Sequence, residues 1–117
     1  MKSHRVGRIG EALVRACLWL LGYRVTARNT VHGGAEVDVI AEKRGVLHLV
    51  EVKSRWKRDR FAPVHAVDER KRRRLARAAT ALLQSPRYGQ STVSFDVAEV
   101  WLWPLPRVRF HRDAFRP

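Results

Sequence analysis

"GAEVDVIAEKRGVLHLVEVKSR", residues 34–55, contains two apolar runs on either side of Arg44-Gly45. A polar residue followed by glycine between such runs reads as a two-residue hairpin turn, so 35–43 and 46–55 are expected to be antiparallel neighbours. That turn sets Lys43 against Val46 and, counting outward, Asp38 against Glu51 and Glu36 against Lys53. A three-residue turn would move Asp38 to the other face. Side chains two apart share a face of a strand, which puts Leu47, Leu49, Glu51 and Lys53 on one side and His48, Val50 and Val52 on the other. Apolar residues on both sides mark a strand covered on both faces, with Glu51 and Lys53 leaving the core at its rim.

Outward from this hairpin, residues 7–22 show helical periodicity. Ile9, Leu13, Cys17, Leu20 and Leu21 fill a broad apolar side, Glu11 and Arg15 form a narrow polar stripe, and Gly22 ends the helix. Residues 23–29 alternate as a first strand, with Tyr23, Val25 and Ala27 on one side, before a glycine turn at Gly33-Gly34. Pro63 opens a second helix running to Leu83, with an inward stripe of Val64, Val67, Lys71, Leu75, Ala78 and Leu82. Residues 92–103 are a fourth strand, ended by Pro104 and Pro106, and "RVRFH" (107–111) is a short edge strand. The order αβββαβ(β) gives an α/β fold. An antiparallel three-strand meander is joined by a parallel crossover strand, with helices on both faces.

The whole chain, 117 residues, suits a single domain over 1–117. Its net charge of +13, with 45% apolar residues, describes a folded protein with a basic surface rather than a disordered polycation. Phosphate polymers are the expected partner. The basic clusters "KSRWKRDR" (53–60) and "RKRRR" (70–74) are followed by no spanning segment, so no membrane partner is expected. The single cysteine, Cys17, points to a reducing compartment, and the cytoplasm is the expected location.

Two carboxylates about 5 Å apart on facing strands repel one another. A cation between Asp38 and Glu51 removes the conflict, and carboxylates without nearby imidazole or thiolate suit a hard ion such as Mg²⁺ or Mn²⁺. The plainer reading is a surface ion pair, Lys53 with Glu51 or Glu36, and a first-turn Glu11 paired to Arg15. An acid followed on the next strand by acid-x-Lys, inside a strongly basic protein, is the narrower coincidence and favours the site.

Asp38, "Glu51-Val52-Lys53" and a preceding helix carrying Glu11 resemble the PD-(D/E)xK, or restriction-endonuclease-like, nucleases, which include Holliday-junction resolvases. The chain resembles more closely the YraN family of small bacterial proteins. "GRIGE" (7–11), "GYRVTARN" (22–29), "AEVDVIA" (35–41), "LVEVKSR" (49–55), Lys71, "SFDV" (94–97) and "DAF" (113–115) match that family in order. Val37 stands where the superfamily has proline, Ala35 where the family has glycine, and Ser94 where it has arginine.

The resemblance implies a Mg²⁺- or Mn²⁺-dependent endonuclease acting on duplex or branched DNA. Asp38, Glu51 and the Val52 carbonyl would hold the metal, with Glu11 completing the shell directly or through water, and Lys53 orienting the attacking water. Arg55, Trp56, Lys57, Arg58, Arg60, Lys71, Arg72 and Arg73 are the expected nucleic-acid contacts, with Trp56 a stacking or wedge residue. Lys71, on an apolar stripe, is expected to point towards the sheet, and Asp96 is expected to be structural. The alternative is a non-catalytic nucleic-acid-binding module on the same fold. A homodimer is compatible with both, since a small chain reaches two strands more easily as a pair.

Overall fold

The computed structural model describes residues 3–57 and 69–116. Their elements run α1 (Ser3–Leu20), β1 (Arg24–His32), β2 (Ala35–Lys43), β3 (Val46–Lys57), α2 (Glu69–Leu83), β4 (Thr92–Trp103) and β5 (Arg107–His111). The five strands form one mixed sheet in the order β1-β2-β3-β4-β5. β1, β2 and β3 are an antiparallel meander, β4 lies parallel to β3, and β5 returns antiparallel to β4. Among the described residues no helix is long and apolar enough to cross a membrane.

The turns follow from local chemistry. Gly33 and Gly34 take positive φ, as do Arg44 and Gly45, so each pair makes the tight hairpin whose twist matches the strands it joins. The Arg44-Gly45 turn fixes the expected register, from Lys43 opposite Val46 to Val39 opposite Val50. α1 ends in a paired cap: Gly22 N–H donates to the Trp19 carbonyl at 3.0 Å and Tyr23 N–H to the Leu18 carbonyl at 2.9 Å, with Gly22 at φ 87°. The helix begins at Ser3, four residues before the expected start, and the part of α2 expected over 63–68 lies outside the described residues.

Two apolar clusters sandwich the sheet. Val6, Val14 and Leu18 of α1 pack on Val39, Ala41, Val50, Ala98 and Val100. On the other face Leu75, Ala78, Ala79 and Leu82 of α2 pack on Val37, Ile40, Leu47, Leu49, Phe95 and Val97. β3 is therefore covered on both sides, as its composition requires. α1 lies close on β3 because Gly10 has no side chain: a Cβ there would fall 2.7 Å from Ser54 Cβ and 1.8 Å from Ser54 Oγ.

Three side-chain assignments change. α1 buries Val6, Val14 and Leu18, on the face where Gly10 approaches β3, whereas Leu20 and Leu21, expected on its apolar side, are exposed. The β1–β2 register shifts between Val25 and Ala27, so Ala27 joins the α2-side cluster instead of sharing the α1 side with Tyr23 and Val25. In β2 the alternation itself switches at Asp38: Ala35 and Val37 face α2, whereas Val39 and Ala41 face α1. The β1 residue that the register sets against Asp38 is Asn29, which takes a positive φ of 49°. The strand is thus bent at the position that carries the acid.

Candidate functional site

The β2–β3 ladder stops at Val39–Val50, one pair short of Asp38–Glu51. Beyond that point the Asp38 side chain replaces the backbone, its Oδ2 accepting the Val52 N–H at 2.9 Å. Glu51 lies close enough for its charge to act on the Asp38 carboxyl. Glu51 is buried, at 5% exposure, and Asp38 is partly buried. Burial, and then the negative charge of Glu51, push the Asp38 carboxyl up to about 7, against the Val52 N–H, which favours the charged form. The expected pairing of Glu36 with Lys53 does not form, because the strands have parted by then and Glu36 is exposed opposite Val31 of β1.

Lys71 of α2 makes an ion pair with Glu51. Its place on the inward stripe ahead of Leu75, Ala78 and Leu82 brings it down onto the sheet, as the periodicity predicts. There it meets the Glu51 carboxylate. Lys53 stands two residues beyond Glu51 on the same side of β3. Its ammonium is held below the ordinary lysine value, first by burial and then by the charge of Lys71, against the pull of Glu51 and Glu99. The carboxylates expected to keep Lys53 firmly charged are outweighed by desolvation and a like charge.

Glu11 is not part of this group. Asn29 Nδ2 donates to Glu11 Oε1 at 3.3 Å, which ties the acid to β1 beside the bend. Among the described residues no three acidic, imidazole or thiol side chains gather closely enough to hold one metal. The acids that do approach each other are Asp38 and Glu51, with the peptide of Val52 beside them. This set fits Mg²⁺ or Mn²⁺, which bind through one or two carboxylates and keep several waters.

Of the expected nucleic-acid contacts, Arg73 is exposed on α2, while Arg72 lays its guanidinium over the Phe115 ring at 5.5 Å. Arg55 and Lys57 lie on β3, which runs two residues further than expected, and Trp56 lies there too rather than in a loop, stacked on Trp103 at 5.8 Å. Arg58 and Arg60 lie outside the described residues.

A second buried acid, Asp96 on β4, was expected to be structural, and its surroundings agree. Asp96 Oδ2 pairs with His48 Nδ1 at 2.6 Å, and Oδ1 accepts from Ser94 Oγ at 2.5 Å and from the Asp113 N–H at 2.9 Å. Ser94, in the position where arginine was the expected family residue, belongs to this network. Glu99 and His111 form a further pair at 2.6 Å, which the sequence did not signal because β5 had no predicted register.

The model of the uncharacterised protein family UPF0102 matches residues 10–100. A UPF0102 protein of Symbiobacterium thermophilum is 42% identical over 107 residues, covering 92% of this chain and 91% of that protein. One from Solibacter usitatus is 39% identical over 111 residues, 93% of this chain and 84% of its own length. One from Moorella thermoacetica is 37% identical over 108 residues, 92% and 90%. The match takes in both strands of the carboxylate pair and the helix that brings Lys71 to it, and the chain belongs to the uncharacterised protein family UPF0102.

Proposed function

We propose that this chain is a divalent-metal-dependent nuclease of the PD-(D/E)xK type, hydrolysing phosphodiester bonds of DNA on a restriction-endonuclease-like sheet. One observation carries the reading: a protein of net charge +13 places two acids close enough to act on each other at the point where its central strands part. Such a pair is costly in the apo state, which is typical of sites shaped for a ligand rather than for stability.

Asp38, Glu51 and the Val52 carbonyl would hold Mg²⁺ or Mn²⁺, whose contribution when bound is a water of lowered pKa and charge neutralisation at the phosphate. Asp38 is oriented for this by the Val52 N–H. Lys53 and Lys71 bring two ammonium groups to the same rim, where negative charge develops on the phosphate as its bond breaks. Lys53, held on the rigid middle strand, orients the attacking water. Glu11 contributes through water rather than as a direct ligand. Arg55, Trp56, Lys57, Arg72 and Arg73 position the strand through its phosphates.

A second reading, a nucleic-acid-binding module without catalysis, draws support from the Lys71–Glu51 pair, which neutralises Glu51 without any metal. The deciding experiment uses the purified full chain on duplex, single-stranded and branched DNA in Mg²⁺ or Mn²⁺, with Mn²⁺ binding followed by calorimetry. The nuclease reading expects cleavage by the wild type, loss of at least about a hundredfold in Glu51→Gln, loss of Mn²⁺ binding in that variant, and unchanged DNA binding in chelator. A wild type that binds DNA but neither cuts it nor takes up Mn²⁺ establishes the second reading.

A further inference from the structure

Beyond the carboxylates, three strands set their side chains in rows. Glu51, Val97 and His111 form one row. Lys53, Glu99 and Arg109 form the next, Arg55, Trp101 and Arg107 the third, and Lys57 and Trp103 extend a fourth. Residues two apart on a strand share a face, so the first three rows lie on the side of the sheet that carries Glu51; the strict alternation ends at the fourth, where Trp56, on the other side of β3 by count, stacks on Trp103. The third row is four residues along β3 from Glu51, roughly 13 Å at the usual strand rise.

The far end of this surface has a distinct chemistry. Trp101 and Arg107 line two adjoining concavities, one of 340 Å³ completed by Val108 and Arg109, the other of 260 Å³ completed by Trp103, Pro104 and Leu105. Trp103 is 52% exposed, although its ring is braced by the stacked Trp56 at an interplanar angle of 18°. Arg107 and Arg109 are exposed and have no ion-pair partner among the described residues. No acid lines either concavity, and none occurs between Val100 and Arg112. Trp56, Trp103 and Leu105 are exposed together here, an apolar patch of the kind that marks a binding surface. A rigid aromatic face beside unpaired guanidinium groups suits a flat apolar ring attached to a phosphate, which is the chemistry of an unpaired nucleotide.

We propose that the β4–β5 groove binds unpaired nucleotides, one base stacking on Trp103 and the adjoining phosphates held by Arg107 and Arg109. A base inside a duplex is already stacked on both sides and offers no free face, so the groove selects single-stranded segments. This inference rests on the reading of the chain as a DNA-binding protein and names the form of substrate: a strand with an unpaired stretch roughly 13 to 20 Å from the carboxylates. It does not require cleavage.

The test is binding of fluorescently labelled oligo(dT), oligo(U) and a blunt duplex to the full chain in chelator, by anisotropy, for wild type, Trp103→Ala, Trp103→Phe and the double variant Arg107→Gln with Arg109→Gln. The expected result is a loss of about tenfold in single-strand affinity for Trp103→Ala, with recovery in Trp103→Phe and less than about twofold change on the duplex. Binding of either single strand that weakens in Trp103→Ala and in the arginine double variant bears out the groove, and the comparison of oligo(dT) with oligo(U) identifies the source of the nucleotide. An abasic oligonucleotide should bind wild type and Trp103→Ala equally. If Trp103→Ala lowers the melting temperature, the arginine double variant, altered only at exposed side chains, should still lose single-strand affinity. Unchanged single-strand binding in the Trp103 and arginine variants overturns the groove but leaves the nuclease reading standing. A wild type that binds no nucleic acid overturns both. Self-association of the wild type that Trp103→Ala abolishes, seen by sedimentation, assigns the face to a second copy of the chain and also overturns the proposal.

Discussion

Asp96 and Asp38 are acids on adjoining parts of one sheet, and they titrate in opposite directions. Asp96, on the strand beside β3 and level with Val50, is pushed up by burial but held below the ordinary carboxylate value by His48, Ser94 and the Asp113 N–H together. Asp38 feels burial too, yet it has one backbone donor and a second acid for a neighbour, and it is pushed up to about 7. Burial is common to both, so it does not decide the outcome; the number of donors aimed at each carboxylate does. The donors around Asp96 tie β3, β4 and the segment after β5 together, which is what a structural acid does. Asp38 sits where the ladder has opened, and its charged form raises the free energy of the apo protein. Stability is concentrated in one acid and given up at the other.

The largest effect expected from breaking this contrast is at Asp96. Asp96→Ala leaves His48, Ser94 and the Asp113 N–H without their shared acceptor and should destabilise the fold by about 3 kcal/mol. Urea denaturation should show the midpoint moving with little change in slope. A cost below about 1 kcal/mol would mean that the network is not what holds the strands together.

Asp38→Asn should act with the opposite sign. Asparagine can still accept the Val52 N–H, so it keeps that contact without the second charge. With a folded value near 7 and an unfolded value near 3.8, the native state binds its proton more tightly than the unfolded chain. The wild type therefore loses stability as pH rises from about 4 to 7. The variant lacks this loss and should be more stable at pH 8 by roughly 1 to 2 kcal/mol, a margin discounted for the partial exposure of the site. The margin should shrink steadily towards pH 4. Denaturation in chelator across that range measures it, and a margin independent of pH would remove the repelling pair as its cause.

The smallest effect is expected at Lys71, whose side chain is 43% exposed whereas that of Glu51 is buried. Lys71→Met removes a positive charge that competes with a divalent ion for Glu51. Mn²⁺ affinity, read by calorimetry, should rise by about fivefold while apo stability falls by less than about 1 kcal/mol at low salt. Weaker Mn²⁺ binding in the variant would show that Lys71 supports the ion rather than displacing it.

The sequence by itself determined the parts of this protein that depend on short-range geometry. Arg44-Gly45 permits one tight turn, a tight turn permits one register, and the period of two then puts Glu51 and Lys53 on the α2 side of β3 with Asp38 close by. The inward stripe of α2 likewise made Lys71 point to the sheet, and the apolar character of β3 on both sides called for helices on both faces. Tertiary structure alone decided which acid Lys71 meets, that Glu11 goes to Asn29 and not to the carboxylates, that β2 bends at Asp38, and that Trp56 stacks on Trp103. These depend on how far a helix slides over a sheet and on where a strand leaves its neighbour, both set by the packing of residues distant in the chain. A spacing rule fixes which face a side chain takes, but a charge on that face takes the partner that packing brings within reach.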